Sequence, residues 1–410
     1  MKIIEDLAVL NRAQWAAFIA SILGWTLDAF DFFLMVFVVH AVAADFHTQV
    51  VEVSLAITVT LMMRPFGAFF FGWLAEKYGR RPILMLDVLL FAFFELATAF
   101  APSLPVFLVL RALFGFAMGG EWGIGASLVM ESVPARSRGA ISGILQQGYP
   151  LGYLLASVVY GLLFDRYGWR GMFIVGVAPA LLVLFIRLFV KESPVWEEQR
   201  KKASSTSVLA SLARNWKTFF YVILLMTAFN FFSHGTQDLY PTFLQTQHHL
   251  PTHTVSVITI VMNIGAIIGG ITFGFWSQRI GRRRAIIIAT LLALPIIPLW
   301  AFSTTPFTLG LGAFLLQITV QGAWGVIPAH LNELSPEEAR GTFPGFAYQV
   351  GNFFAASNAT IQAMIATAYG NNYGLALALV LAAAAMAIVV IAACGREAKE
   401  AVFGERPVVH

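Results

Sequence analysis

Twelve long apolar stretches, separated by short segments rich in Gly, Pro and charge, run almost end to end along the 410 residues. They fall at approximately 15–42, 54–73, 82–100, 105–129, 140–163, 171–190, 217–244, 255–276, 285–302, 306–329, 344–368 and 374–394, numbered here as spans 1 to 12. A helix needs roughly 20 apolar residues to cross a bilayer. With no water in the hydrocarbon to satisfy backbone N–H and C=O groups, such stretches persist only as helices. The expected fold is an all-α membrane protein of twelve transmembrane helices. Charged residues make up only 12% of the chain, against roughly 25% in a soluble domain. The first run is too long for a signal-peptide core and lacks a small-residue exit, so it is expected to stay as a helix. The single cysteine, Cys394, excludes a disulfide scaffold.

The net charge of +4 is not a nucleic-acid footprint, because the basic residues sit in a few short loops. Of the 26 Lys and Arg, 21 lie at the termini or after spans 2, 4, 6, 8 and 10. The opposite loops hold two, Arg166 and Arg170, while Arg64, Arg111 and Arg187 fall inside spans. Loops rich in Lys and Arg stay in the cytoplasm. Both termini are therefore expected there, in a multi-pass plasma (inner) membrane protein embedded in lipid.

An internal repeat organises the chain. Gly72-x-x-x-Glu76-Lys77-x-Gly79-Arg80-Arg81 after span 2 returns as Gly274-x-x-x-Gln278-Arg279-x-Gly281-Arg282-Arg283 after span 8. Glu131-x-x-Pro134-x-x-x-Arg138-Gly139 returns as Glu333-x-x-Pro336-x-x-x-Arg340-Gly341. Both pairs keep an offset of 202 residues, so the chain is a duplicated six-helix unit with both copies in one orientation. The expected units are a bundle over 1–190, a cytoplasmic linker over 191–215 with a Ser/Thr cluster, and a second bundle with a short tail over 216–410.

This arrangement resembles the major facilitator superfamily, whose halves are parallel repeats about an axis along the membrane normal. The Gly…Gly-Arg-Arg loops resemble its signature between helices 2 and 3. Arg111-x-x-x-Gly115-x-x-x-Gly119 is similar to its helix-4 motif, and Glu192-Ser193-Pro194-x-Trp196 to its motif after helix 6. Glu76 and Gln278 stand where that superfamily usually has Asp. The resemblance implies a conformational latch made by Gly72, Glu76, Gly79, Arg80 and Arg138, with Gly274, Gly281, Arg282 and Arg340 in the second copy.

A charge in mid-span costs at least about 2.5–3.5 kcal/mol, so buried polar groups mark candidate function. Asp28 and Asp31 in span 1 share a helix face, and Arg64 is central in span 2. A structural Asp–Arg pair and a functional site are both compatible with this pattern. In span 7, Asn230, His234 and Asp238 form a stripe, flanked by Ser233 and Gln237. Such a stripe lines something wet or pairs across a helix interface. A His–Asp couple takes and releases protons near neutrality. Arg111 is a candidate partner of Glu95 or Glu121. Gln147, Tyr149, Asn263 and Asn352 are candidate neutral hydrogen-bonding groups, as are Gln317, Gln321, Gln349 and Asn358. His248, His249 and His253 read as a solvated loop and no metal site is expected.

The segment Asn230-x-x-Ser233-His234-x-Thr236-Gln237-Asp238-x-x-Pro241-Thr242 resembles the span-7 signature of lactate/pyruvate:proton symporters of the yeast lactate-permease type, within the sialate:proton symporter family. Trp25 to Phe33 resembles that family's first helix, and Arg64-x-x-Gly67-Ala68 its second. The resemblance implies a small monocarboxylate substrate held by Arg64. It ties His234 and Asp238 to proton coupling and substrate recognition, and on the residues themselves Asp28 and Asp31 are further proton candidates. No nucleotide-binding loop is present, so transport is expected to draw on a gradient. A proton is the expected coupling ion, with no other cofactor, in a monomer. Larger organic acids, sugar facilitation and a non-transporting receptor are the competing readings. No nucleophile–base pair is legible, so the chain is not expected to be an enzyme.

Overall fold

The computed structural model describes residues 10–48, 50–201, 208–336 and 339–399. The linker's Ser/Thr cluster and the Arg187 side chain lie outside the described residues. Helices occupy all twelve expected spans, and no strand occurs among the described residues. Span 1 is one helix, Arg12–Asp45, opened by a capping box in which the Asn11 and Gln14 side chains each accept from the other's backbone N–H. Span 2 is Val50–Tyr78, with Pro65 inside it, and span 3 is Arg80–Ala99. Span 4 breaks into Leu104–Met118 and Glu121–Ser132.

Span 5 begins as Arg138–Leu145 and continues from Gly148, in a helix recorded as Gly148–Val175 but broken at Gly168, where φ is 60° and ψ −169°. Span 6 follows that break and ends as Ala180–Phe189. Span 7 is Trp216–Gln237, with the short helix Tyr240–Thr246 beyond it, and span 8 is Thr252–Ile280. Span 9 is Arg282–Ala293 extended by Ile297–Ala301, and span 10 breaks into Pro306–Trp324 and Ile327–Leu334. Span 11 breaks into Phe343–Ala355 and Asn358–Ala368, and span 12 is Tyr373–Cys394. Among the described residues nine helices are long and apolar enough to cross a membrane by length and composition. Spans 5, 6 and 11, which kinks interrupt, are the other three.

Span 1 packs on span 5 and span 2 on span 4; spans 8 and 10 pair likewise, as do spans 7 and 11. Gly115 and Gly119 let spans 2 and 4 touch backbone to backbone. A Cβ at Gly115 would lie 2.2 Å from the Thr60 carbonyl oxygen, and one at Gly119 2.1 Å from that of Arg64. The two halves meet where span 2 packs on span 11 and span 5 on span 8. Large apolar side chains such as Phe307 (76% exposed), Leu162 (74%) and Leu188 (73%) point outward, a surface that lipid satisfies and water does not.

Gly79 and Gly281 join spans 2 to 3 and 8 to 9 with φ of 109° and 97°. This is a region that a side chain disfavours, and it places both Arg-Arg pairs at the start of the next helix.

Candidate functional site

The Gly-Arg-Arg loops build a closed seam between the halves. Arg80 is fully buried and donates to Glu76 at 2.9 Å and to Glu131 at 3.2 Å. Glu131 also accepts from the Ser193 hydroxyl. In the second copy Arg282 donates to Gln278 and to both oxygens of Glu333, at 2.9–3.0 Å. Each unit then crosses to the other half. Glu76 accepts the Gly341 N–H at 2.7 Å, and Gln278 accepts the Gly139 N–H at 3.1 Å. Glu76 thus makes this backbone contact with a carboxylate, and Gln278 with a neutral amide.

Gly72 packs on Thr342, and Gly274 on Gly143. The Arg138 guanidinium donates to the Met130 carbonyl at 3.2 Å, and the Arg340 carbonyl accepts from Ser127 at 2.9 Å. Ser142 bridges further, donating to the Gly325 carbonyl at 2.8 Å and accepting from the Ala329 N–H at 3.0 Å. Glu192 accepts the backbone N–H groups of Arg80 and Arg81, and Glu397 those of Arg282 and Arg283. These carboxylates satisfy orphan donors at the two helix starts.

Beyond this seam the two halves line a small, partly open cavity. Asn230, Ser233 and His234 of span 7 line it on one side, with Gln321 and Trp324 of span 10 and Tyr348 of span 11. Trp25, Gln146 and Tyr149 line it from the first half, with the Trp25 and Tyr149 rings stacked 5.7 Å apart. His234 Nδ1 lies 3.1 Å from Asp238 Oδ1, and 31% of the Asp238 side chain is exposed. Asp238 is the exposed member of the stripe, at its end away from the seam.

Arg64 does not touch the cavity surface. It lies behind it, 3% exposed, and donates from Nη2 to Asp28 at 3.1 Å, while its Nε is buried with no hydrogen-bond partner. His234, Tyr149 and Tyr348 are within its electrostatic reach. Asp31 is fully buried and neither of its oxygens is hydrogen-bonded. Of the two partners open to Arg111, Glu95 holds it at 2.5 Å.

The span-7 stripe is divided. Gln237 faces span 10 and donates to Gln317 at 3.2 Å, away from the cavity. Asn352 lies behind His234 as a hydrogen-bonding neighbour and donates to Gln349 at 3.2 Å. Gln147 and Asn263 bond back to their own helices, at the Gly143 and Thr259 carbonyls, and lie outside the lining. Gln146, one residue earlier, faces the cavity instead. Trp324 and Tyr348 carry no polarity pattern that sets them apart from the many other aromatics. No group of three His, Cys, Asp or Glu able to hold a metal occurs among the described residues.

The family model described as the Major Facilitator Superfamily matches residues 15–347 and 224–406. A carboxylic acid transporter protein homolog of Saccharomyces cerevisiae is 29% identical over 89% of this chain, which spans 64% of that relative's length. The sialic acid transporter NanX of Escherichia coli is 29% identical over 90% of this chain and 91% of its own. Both agree with the resemblance to the sialate:proton symporter family. The solved structure of the proton:xylose symporter XylE superposes with a TM-score of 0.78 over 95% of this chain and 97% of its own. At 18% identity that likeness shows the fold alone. The chain belongs to the major facilitator superfamily and is a membrane transporter, not an enzyme.

Proposed function

We propose that the chain is a secondary active transporter that carries a small monocarboxylate, of the lactate or pyruvate kind, together with a proton by alternating access. The observation that carries this reading is the buried Asp28–Arg64 pair behind the cavity. A guanidinium stays charged and grips a carboxylate with two parallel hydrogen bonds, and Nε is the spare donor that a second bond requires. Protonation of Asp28, Asp31, His234 or Asp238 loosens the internal pairing and frees Arg64 for the substrate, so binding is ordered. An anion entering a negative interior works against roughly 2.3 kcal/mol per 100 mV; one accompanying proton makes the step electroneutral.

On the charge asymmetry of the loops, both termini are cytoplasmic in a plasma (inner) membrane, and the Gly-Arg-Arg seam is the cytoplasmic latch. The six-helix units cover 1–190 and 216–410, and a single chain suffices. The conformation is then outward-open. A second reading, a proton symporter of larger acids, draws support from the sialic acid relative and from the Trp25, Trp324 and Tyr348 walls. Uptake of labelled lactate into proteoliposomes with an imposed acid-outside gradient tests the proposal. Accumulation that follows the gradient and is competed by pyruvate supports it. Uptake indifferent to pH overturns it, and competition by sialic or aromatic acids alone favours the second reading.

A further inference from the structure

Asp87 and Glu121 belong neither to the cavity nor to the seam. Both are fully buried, and none of their carboxylate oxygens has a hydrogen-bond partner. Asp87 lies seven residues beyond Arg80 on span 3, a rise of about 10 Å from the seam. Glu121 opens the second segment of span 4.

Glycines make room for both. A Cβ at Gly120 would come within 2.8 Å of Asp87 Oδ1, and one at Gly24 of span 1 within 2.2 Å of Glu121 Oε1. Glu121, Asp28 and Arg64 are the charged groups within electrostatic reach of Asp87, and Asp28 and Arg64 are also within reach of Glu121. Three carboxyl groups therefore share one guanidinium, which Asp28 already engages at 3.1 Å and whose Nε is buried without a partner. Ionised together they would leave two uncompensated negative charges in the buried interior. Desolvation and like-charge repulsion both oppose that state, and interacting carboxyls release protons as a set.

We propose that Asp87 and Glu121 form a proton-binding site in the first half, lying between the Asp28–Arg64 pair and the Gly-Arg-Arg seam and separate from the substrate cavity. Its ligand is H⁺, held as an O–H bond on one or both carboxyls. Passage to Asp28 breaks that O–H bond and forms one on Asp28, with charge conserved. The Asp28–Arg64 pair links the site to the cavity, so a substrate that draws Arg64 away acts on this proton without touching it.

Infrared difference spectroscopy of the full chain in lipid nanodiscs, recorded without substrate over a pH titration in H₂O and in D₂O, tests the site. At neutral pH the wild type is expected to show a carboxylic-acid C=O band that shifts in D₂O. Asp87→Asn and Glu121→Gln should each lose part of it, and the double variant should lose more than either. Asp31→Asn removes a different component and serves as the control. A band that keeps its full intensity in the folded variants overturns the proposal, as does a wild type with no such band at neutral pH. Thermal melting identifies the folded variants, and if neither folds the wild-type spectrum decides. No substrate enters the measurement, so its failure leaves the monocarboxylate reading standing.

Discussion

Arg64→Lys separates charge from geometry at the proposed carboxylate anchor. Lysine keeps the cation opposite Asp28, so the buried pair survives and the fold is not asked to tolerate a lone carboxylate. Removing the cation altogether, as in Arg64→Ala, would leave Asp28 unpaired at a cost of about 3–5 kcal/mol and confuse binding with stability. What lysine cannot do is present Nε and Nη as a planar fork. In the structure one arm is committed to Asp28 at 3.1 Å and Nε is unused, so the substitution removes the second bond to a substrate carboxylate. A hydrogen bond to a charged group contributes about 1.5–3 kcal/mol, which corresponds to roughly a 10- to 150-fold weaker affinity. The assay is proton-driven uptake of labelled lactate at matched protein density, with KM read over a concentration series. A KM within about twofold of wild type, below half a kcal/mol on that scale, refutes the anchor.

Other substitutions probe the stripe and the seam. His234→Ala should reduce proton-driven accumulation more than counterflow exchange, because exchange needs no net proton movement; equal loss of both argues against proton coupling at His234. Ser142→Ala strands the Gly325 carbonyl and the Ala329 N–H, at about 1–3 kcal/mol, a 5- to 150-fold shift toward parting of the seam. Maleimide labelling of a cysteine placed on the seam side, in a Cys394→Ser background, should rise accordingly. Gly345→Val meets the Gly123 Cα, which lies 2.7 Å from where the Cβ would stand, so the seam cannot close and the same labelling becomes insensitive to substrate. Glu397→Ala removes the cap over Arg282 and Arg283, and a loss of about 0.5–2 kcal/mol should appear as a lower melting temperature.

The architecture was legible because two of its determinants are written in linear order. Apolar run length identifies the spans, and a loop motif repeated at one offset identifies the duplication. The residues of the seam were legible for the same reason, as motif positions. The cavity wall was legible in part: the candidates Tyr149, Asn230, Ser233, His234 and Gln321 line it, whereas Gln146, Trp324 and Tyr348 carried no signal of their own. Gln147 and Asn263 were candidates as polar groups inside spans, yet Gln146 faces the cavity in place of Gln147, and Asn263 returns its hydrogen bond to Thr259. Asp87 carried no spacing signal at all. Its significance lies in Glu121, Asp28 and Arg64 arriving from three other helices.

The two halves share a backbone plan but not their charge. At the 202-residue offset Asp28 corresponds to Asn230, Asp31 to Ser233, Arg64 to Ala266, Asp87 to Ala289, Arg111 to Ala313 and Glu121 to Ala323. The interior of the first half therefore holds the carboxyl groups and guanidiniums. The matching positions of the second hold amides, hydroxyls and methyls, while Trp122 and Trp324 are retained in both. Most buried carboxyls and the Arg64 anchor thus lie in the first half, while the second adds neutral groups to the wall together with the His234–Asp238 couple. This arrangement predicts opposite signatures for two single changes. Gln321→Ala, on the cavity wall, should raise KM while leaving the ratio of driven uptake to exchange unchanged. Asp31→Asn, buried away from the wall, should flatten the pH dependence of uptake while exchange persists. If Gln321→Ala altered the pH profile and Asp31→Asn altered only KM, proton binding by the buried carboxyl and substrate contact by the wall amide would be assigned the wrong way round.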